Sequence, residues 1–251
     1  MILLLGNCQL QRMSYILRNN GIDSNYLANT DRIDSSFNAD YVMSVAEKAD
    51  VVISQPILND NNPLYIDYLS KICKEIVYLP YVFVDGIFSL SSLDIGSPNI
   101  LGSKYLEKYL DGDIGNIFNE FLIGNIDFCN EERLSFSIQE LFRREKLSDS
   151  IPIADVISDN YRKRKLMISH NHPEKWLMDI LCARLFDRLG WNYIPYEKCS
   201  HRLRVDYMFT PGEAVLSPYD ADKLGVNFPS DDQWWGIGHR LINRIWDNRL
   251  I

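Results

Sequence analysis

The first twenty residues constrain the fold more than any other stretch. Met1-Ile-Leu-Leu-Leu5 is an unbroken apolar run that stops at Gly6, and Leu10, Met13, Ile16 and Leu17 then follow at helical spacing. A short apolar run of this kind suits a strand buried on both faces of a parallel sheet. A helix directly behind it makes a β-α unit. The helix is predicted from about Gln9 to Asn19, with Asn20-Gly21 closing it as a C-cap does.

The pattern recurs. Asp40–Lys48 reads as a short helix, and Asp50-Val-Val-Ile-Ser-Gln-Pro56 as a buried strand with a polar end. Tyr65–Ile72 reads as helix and Glu75–Val84 as strand. This alternation predicts an α/β fold, a flavodoxin-like parallel sheet flanked by helices. From about residue 87 to 151 the periodicity is helical, broken by Gly and Ser turns, with no convincing strand; Phe118–Ile123 and Ile138–Lys146 are its best helices. That segment is expected to be a helical insertion or lid within a single α/β domain, 1–251. The α/β pattern resumes with a strand at Lys165–Ser169 and a long helix at Pro173–Leu189, with proline in its first turn and Gly190 at its end. Trp234, Trp235 and Trp246 are expected to pack against the main body.

Charge and cysteine usage narrow the function classes. The net charge of −8 disfavours nucleic acid and anionic lipid as general partners. Cys8, Cys73, Cys129, Cys182 and Cys199 are odd in number and form no C-x-x-C pair. That argues against a disulfide framework and a cysteine-rich zinc site, and for a reducing compartment. Met1–Leu5 lacks a basic n-region and a cleavage site and is too short for a membrane span, so a cytoplasmic protein is expected.

Ligands of open parallel α/β sheets sit at the carboxyl ends of the strands. Three polar strand ends therefore matter: Gly6-Asn7-Cys8-Gln9, Ser54-Gln55-Pro56 and Ser169-His170-Asn171-His172-Pro173. Cys8 falls at a helix start, where free N–H groups and the helix dipole favour a thiolate and offer donors to an oxyanion. Asn7 and Gln9 are candidate further donors, and Gln55 and His170 candidate substrate contacts. Position alone supports equally a nucleophile and a small buried residue at Cys8. His172, just past a strand, is the candidate base for a thiolate–imidazolium pair. No H-E-x-x-H spacing accompanies His170 and His172, so no metal is expected. No carboxylate stands out as the one that orients the histidine; Asp85, after a strand, is the nominee. The run Arg162-Lys163-Arg164-Lys165 is either a solvated patch or a phosphate site, and Arg12, one turn along the first helix from Cys8, is a second phosphate candidate.

Gly6-Asn7-Cys8-Gln9 after a first strand resembles the WcbI-like polysaccharide (capsule) biosynthesis family, a family of acetyltransferases in bacterial capsule pathways. Val51-Val-Ile-Ser-Gln55, Leu79-Pro-Tyr-Val-Phe83 leading to Gly86, Asn171-His172-Pro173 and Ser217-Pro-Tyr…Leu224-Gly225 are similar in order and spacing. The resemblance implies an SGNH-hydrolase-like fold with a cysteine nucleophile. Asn7 and Cys8 would stand where those hydrolases have Asp and Ser, and His172 at the base. The Asp usually found three residues before the histidine would fall at Ser169, which leaves the third triad member open. The resemblance further implies coenzyme A or acetyl-CoA as co-substrate, a sugar or glycan acceptor, and association with polysaccharide assembly machinery.

Three functions follow. The first is an O-acyltransferase using Cys8 and His172, with Arg12, Arg162 and Arg164 on the phosphates of coenzyme A. The second is a thiol esterase or deacylase with the same residues and water as acceptor. The third is a non-catalytic coenzyme A or glycan-binding protein, favoured by the missing Asp.

Overall fold

The structure, a computed structural model, describes residues 1–30, 36–92, 100–110, 112–195, 214–228 and 234–249. The chain begins with β1 (Ile2–Gly6), α1 (Cys8–Asn19), β2 (Ser24–Ala28), α2 (Ala39–Lys48), β3 (Val51–Ser54), α3 (Ile66–Ile72) and β4 (Ile76–Tyr78). Next come β5 (Leu90–Ser92), β6 (Ile100–Leu101), a 3-10 helix (Ser103–Tyr109), α4 (Ile114–Leu122), α5 (Asn130–Ser148) and α6 (Ala154–Asn160). Last are β7 (Met167–Ser169), β8 (His172–Pro173), α7 (Lys175–Arg188), β9 (Ala214–Val215), α8 (Pro218–Leu224) and α9 (Trp234–Arg249). These elements gather into two compact units, one holding the described parts of 1–81, 141–155 and 175–195, the other those of 82–140, 156–174 and 214–249.

The first unit carries a four-stranded sheet in the order β2-β1-β3-β4, every pair parallel. This is the flavodoxin-like order, in which the chain leaves β1 to one side and returns on the other, so the switch point lies between β1 and β3. Leu3, Leu5 and Val52 of the strands pack with Val42 and Ala46 of α2 and Leu69 of α3. On α1 the predicted stripe Leu10, Met13, Ile16 and Leu17 is buried. β2 escaped the sequence reading because Ser24-Asn25-Tyr26 is polar and only its two ends are buried. β4 stops at Tyr78, well short of Val84, because Pro80 has no N–H to extend a ladder.

The second unit is built differently. Its three-stranded antiparallel sheet has the order β6-β5-β9. Leu90, Ile100 and Val215 from those strands pack with Phe121 of α4, Phe128, and Leu241 and Ile242 of α9. Residues 87–151 are therefore not purely helical: Leu90-Ser-Ser92 is too short and polar for its strand to show in the pattern. Trp234 and Trp246 pack on this core as expected, but Trp235 is exposed. Cys199 lies outside the described residues.

The expected strand before His172 needs the largest correction. Met167–Ser169 is extended, but among the described residues its ladder is with β8, antiparallel, and not with the parallel sheet. The chain reverses within two residues, His170 and Asn171, so Ser169 faces His172 across the hairpin. Pro173 belongs to β8, which is why the helix predicted from it starts later, at Lys175. Among the described residues, no helix is long and apolar enough to cross a membrane.

Candidate functional site

In the first unit the carboxyl ends of β1 and β3 meet at the switch point, and Asn7, Cys8, Gln9 and Gln55 gather there. Asn7 is the N-cap of α1: its side-chain oxygen accepts the Gln9 N–H at 2.9 Å. Cys8 is thus the first residue of the helix and is half-buried. Gln55 ties this turn to β3. Its Oε1 accepts the Asn7 N–H at 2.8 Å, and its Nε2 donates to Gln9 Oε1 at 3.2 Å. Both glutamines are buried, 2 % and 4 % exposed. Gly6 is required by this packing: a Cβ there would stand 2.7 Å from Gln55 Oε1 and 2.8 Å from Leu10 Cδ1. These bonds give Asn7, Gln9 and Gln55 a framework role, holding the backbone around Cys8 in place.

In the second unit the β7–β8 hairpin presents two buried histidines. Ser169 Oγ lies 3.0 Å from His172 Nδ1 and donates to Asn171 Oδ1 at 3.3 Å. Ser91 Oγ, on β5, lies 2.8 Å from His170 Nδ1 and accepts the His170 backbone N–H at 3.4 Å. The Phe83 ring meets the His170 ring edge-on at 5.2 Å, and the Val84 N–H donates to the His170 carbonyl at 2.7 Å. Burial pushes the His170 pKa down to about 4; the Asp85 charge pulls it up, and His172 and Arg133 add to the depression.

Asp85, nominated as the orienting carboxylate, is bound by Arg133. Arg133 donates from Nε to Oδ2 at 3.2 Å and from Nη2 to Oδ1 at 2.5 Å, while its Nη1 holds the Ser89 and Phe128 carbonyls, each at 3.2 Å. The Asp85 N–H donates to Ser137 Oγ at 2.9 Å. Gly86 follows, with φ of +91°, and a Cβ there would run into the α5 backbone, 2.3 Å from Leu134 N. Asp85 thus fixes the loop after Val84 to α5, and a serine hydroxyl stands at Nδ1 of each histidine. Ser91 and Arg133 were missed by the sequence reading, for nothing local marks residues that meet their partners about eighty and fifty positions away.

The two cationic candidates differ. Arg12 is buried at 4 % exposure, close enough to Cys182 for its charge to act on that thiol. The run 162–165 is exposed, with Arg162 donating from Nε to the Leu224 carbonyl at 3.1 Å and stacking on Tyr161. Of these two candidates, the run is the one that offers cations to solvent. Among the described residues, no group of three or more His, Cys, Asp or Glu side chains could hold a metal ion.

The comparisons agree with this architecture. A family model described as polysaccharide biosynthesis enzyme WcbI matches residues 130–193, the stretch that contains the histidine hairpin. A solved structure of WcbI shares the fold with a TM-score of 0.65 at 16 % identity, over 99 % of this chain and 95 % of that one. It is described as a novel polysaccharide biosynthesis enzyme, in a native form without a disulfide bond between coenzyme A and one of its cysteines. No curated protein matches the chain. The family model covers Asn171–Pro173, and the solved structure shares the fold over nearly the whole chain.

Proposed function

We propose that this chain is a coenzyme A-dependent O-acyltransferase, most simply an acetyltransferase, that modifies a sugar hydroxyl in surface polysaccharide biosynthesis. The observation that carries this reading is the placement of Cys8 as the first residue of α1, at the carboxyl end of β1 beside the switch point. Ligands of such sheets bind there, and a thiol at a helix N-terminus is drawn toward the thiolate. The description of the related WcbI structure supports it, because it pairs coenzyme A with a cysteine.

The chemistry is two acyl transfers. Cys8 Sγ gives its proton to His172 and attacks the thioester carbonyl, the bond to the coenzyme A sulfur breaks, and that sulfur leaves as a thiol with the proton from His172. The acyl-cysteine is then attacked by the sugar oxygen, whose proton passes to His172 as the new ester forms and the Cys8 thiolate is released. The N–H groups at the start of α1 are the natural donors to the oxyanion of each tetrahedral intermediate. The exposed 162–165 run is assigned to the phosphates of coenzyme A. An SGNH-like ancestry fits, with Ser169 in the place of the acid.

The test is incubation with radiolabelled acetyl-CoA, an acid quench and mapping of the label. Label on Cys8, absent from Cys8→Ala and discharged by a sugar acceptor, supports transfer. Discharge at the same rate by water alone supports an esterase, and coenzyme A binding without any label overturns both.

A further inference from the structure

The two histidines of the β7–β8 hairpin lie two residues apart and are both buried, and their serine neighbours use a single hydroxyl proton differently. We propose that His170 and His172 are held in opposite neutral tautomers, His172 with its proton on Nδ1 and His170 with its proton on Nε2.

A serine hydroxyl has one proton to give and can accept from others. Ser169 gives its proton to Asn171 Oδ1 at 3.3 Å. Its oxygen, 3.0 Å from His172 Nδ1, can then only accept, so Nδ1 carries the hydrogen and the basic lone pair sits on Nε2. At Ser91 the oxygen is already an acceptor, taking the His170 backbone N–H at 3.4 Å. Its own proton, buried with the residue 1 % exposed, needs an acceptor, and His170 Nδ1 lies within reach at 2.8 Å. His170 must then carry its hydrogen on Nε2. The depression of the His170 pKa keeps that ring neutral, so the Nε2–H persists as a donor over the physiological range.

The tautomers themselves are independent of what the protein does. Their roles rest on the acyl-transfer reading: His172 is the base, as the Nδ1–H form requires, and His170 is a fixed neutral donor suited to polarising a carbonyl or holding an acceptor hydroxyl. Ser169 and Ser91 are positioning residues. Ser169 supplies the orientation that a triad carboxylate would, without the charge that would stabilise an imidazolium. The hairpin thus separates acid–base work from hydrogen-bond donation by tautomer and not by residue type.

Long-range proton–nitrogen spectra of histidine-labelled native protein read this directly, with His170→Gln and His172→Gln spectra giving the assignment. The expected result is a protonated Nδ1 in His172 and a protonated Nε2 in His170. Ser169→Ala should release only His172 into a tautomer mixture and Ser91→Ala only His170, with Ser169→Thr and Ser91→Thr, which keep the hydroxyl, restoring each pattern. The same tautomer on both rings in the native protein overturns the proposal, whatever the variants do. So do wild-type nitrogen shifts in both serine-to-alanine variants. Because the spectra need no substrate, a failure of Cys8 to take up acetyl groups would sink the transferase reading and leave the tautomers standing. Acyl-Cys8 with matching tautomers would do the reverse.

Discussion

Gln55 accepts the backbone N–H of Asn7 at 2.8 Å, and this bond crosses from the end of one parallel strand to the turn after its neighbour. The same carboxamide donates to Gln9 Oε1, so one side chain bonds a polar group on either side of Cys8. A cysteine that must meet a carbonyl at a set angle needs such a rigid backbone, since small misplacements of a reacting group cost large factors in rate.

Gln55→Leu should therefore be costly out of proportion to its change in volume. It removes the acceptor of the Asn7 N–H and the donor to Gln9 Oε1, and a buried polar group left unsatisfied costs about 1–3 kcal/mol. A loss of roughly 2–4 kcal/mol in urea unfolding is expected. Gln55→Glu, which still accepts from Asn7 but turns an acceptor toward the Gln9 oxygen, should also be destabilised at neutral pH. Unchanged unfolding midpoints in both variants would show that the carboxamide does not hold the turn.

The turn around Cys8 was legible in the sequence because strand, glycine, cap and helix are all local. Asn7 caps α1 and Leu10, Met13, Ile16 and Leu17 are buried, as the spacing predicts. What was not legible depends on distant partners. The strand before His172 has the apolar character of a sheet strand, yet it ladders with β8 across a turn carrying neither Gly nor Pro, so no turn signal announces it. Asp85 follows a strand-like run, as a triad acid could, and only the fold reveals that Arg133 reaches it from α5. At Ser169, where the resemblance leaves an acid missing, the hydroxyl lies 3.0 Å from His172 Nδ1, a contact across a hairpin that the sequence does not announce.

Thiol chemistry should separate the cysteines. Burial pushes the Cys73 thiol up to about 11 and raises Cys182 well above its ordinary range, whereas Cys8 sits at a helix N-terminus. The thiolate is the reactive form. With a limiting alkylating reagent at pH 7.5, Cys8 should be modified well ahead of Cys73 and Cys182. If His172 serves the chemistry at Cys8, the pH profile of that alkylation should also shift in His172→Ala. Labelling of Cys73 before Cys8 would remove the nucleophile from the proposal.

His170 makes stability fall on the acid side. In the unfolded chain it binds a proton near its ordinary pKa of 6.5, while in the folded protein it does so only near 4. Between those values the unfolded state holds more protons, so the folded state loses stability as pH falls through that window. At 1.36 kcal/mol per pKa unit the loss totals roughly 3 kcal/mol, spread between pH 6.5 and 4. His170→Gln should flatten this part of the stability–pH curve. A slope that survives the substitution would show that His170 is not the source of the acid sensitivity.

The ligand prediction turns on where the cations are. With a net charge of −8 the chain has no general attraction for phosphates, so coenzyme A must depend on a few local charges. Arg12 is buried and the 162–165 run is exposed, which divides the two candidates by mechanism. Contacts made by exposed cations are screened by salt, with a Debye length of about 10 Å at 0.1 M. Calorimetry with coenzyme A across a salt series should show affinity falling as salt rises. Arg164→Ala should weaken binding most at low salt and flatten that dependence. Arg12→Ala should instead lower stability, because it removes a buried side chain, and leave the salt slope intact. Salt-independent binding, or an unchanged slope in Arg164→Ala, would move the phosphate site away from this run and leave the cysteine turn to be tested on its own.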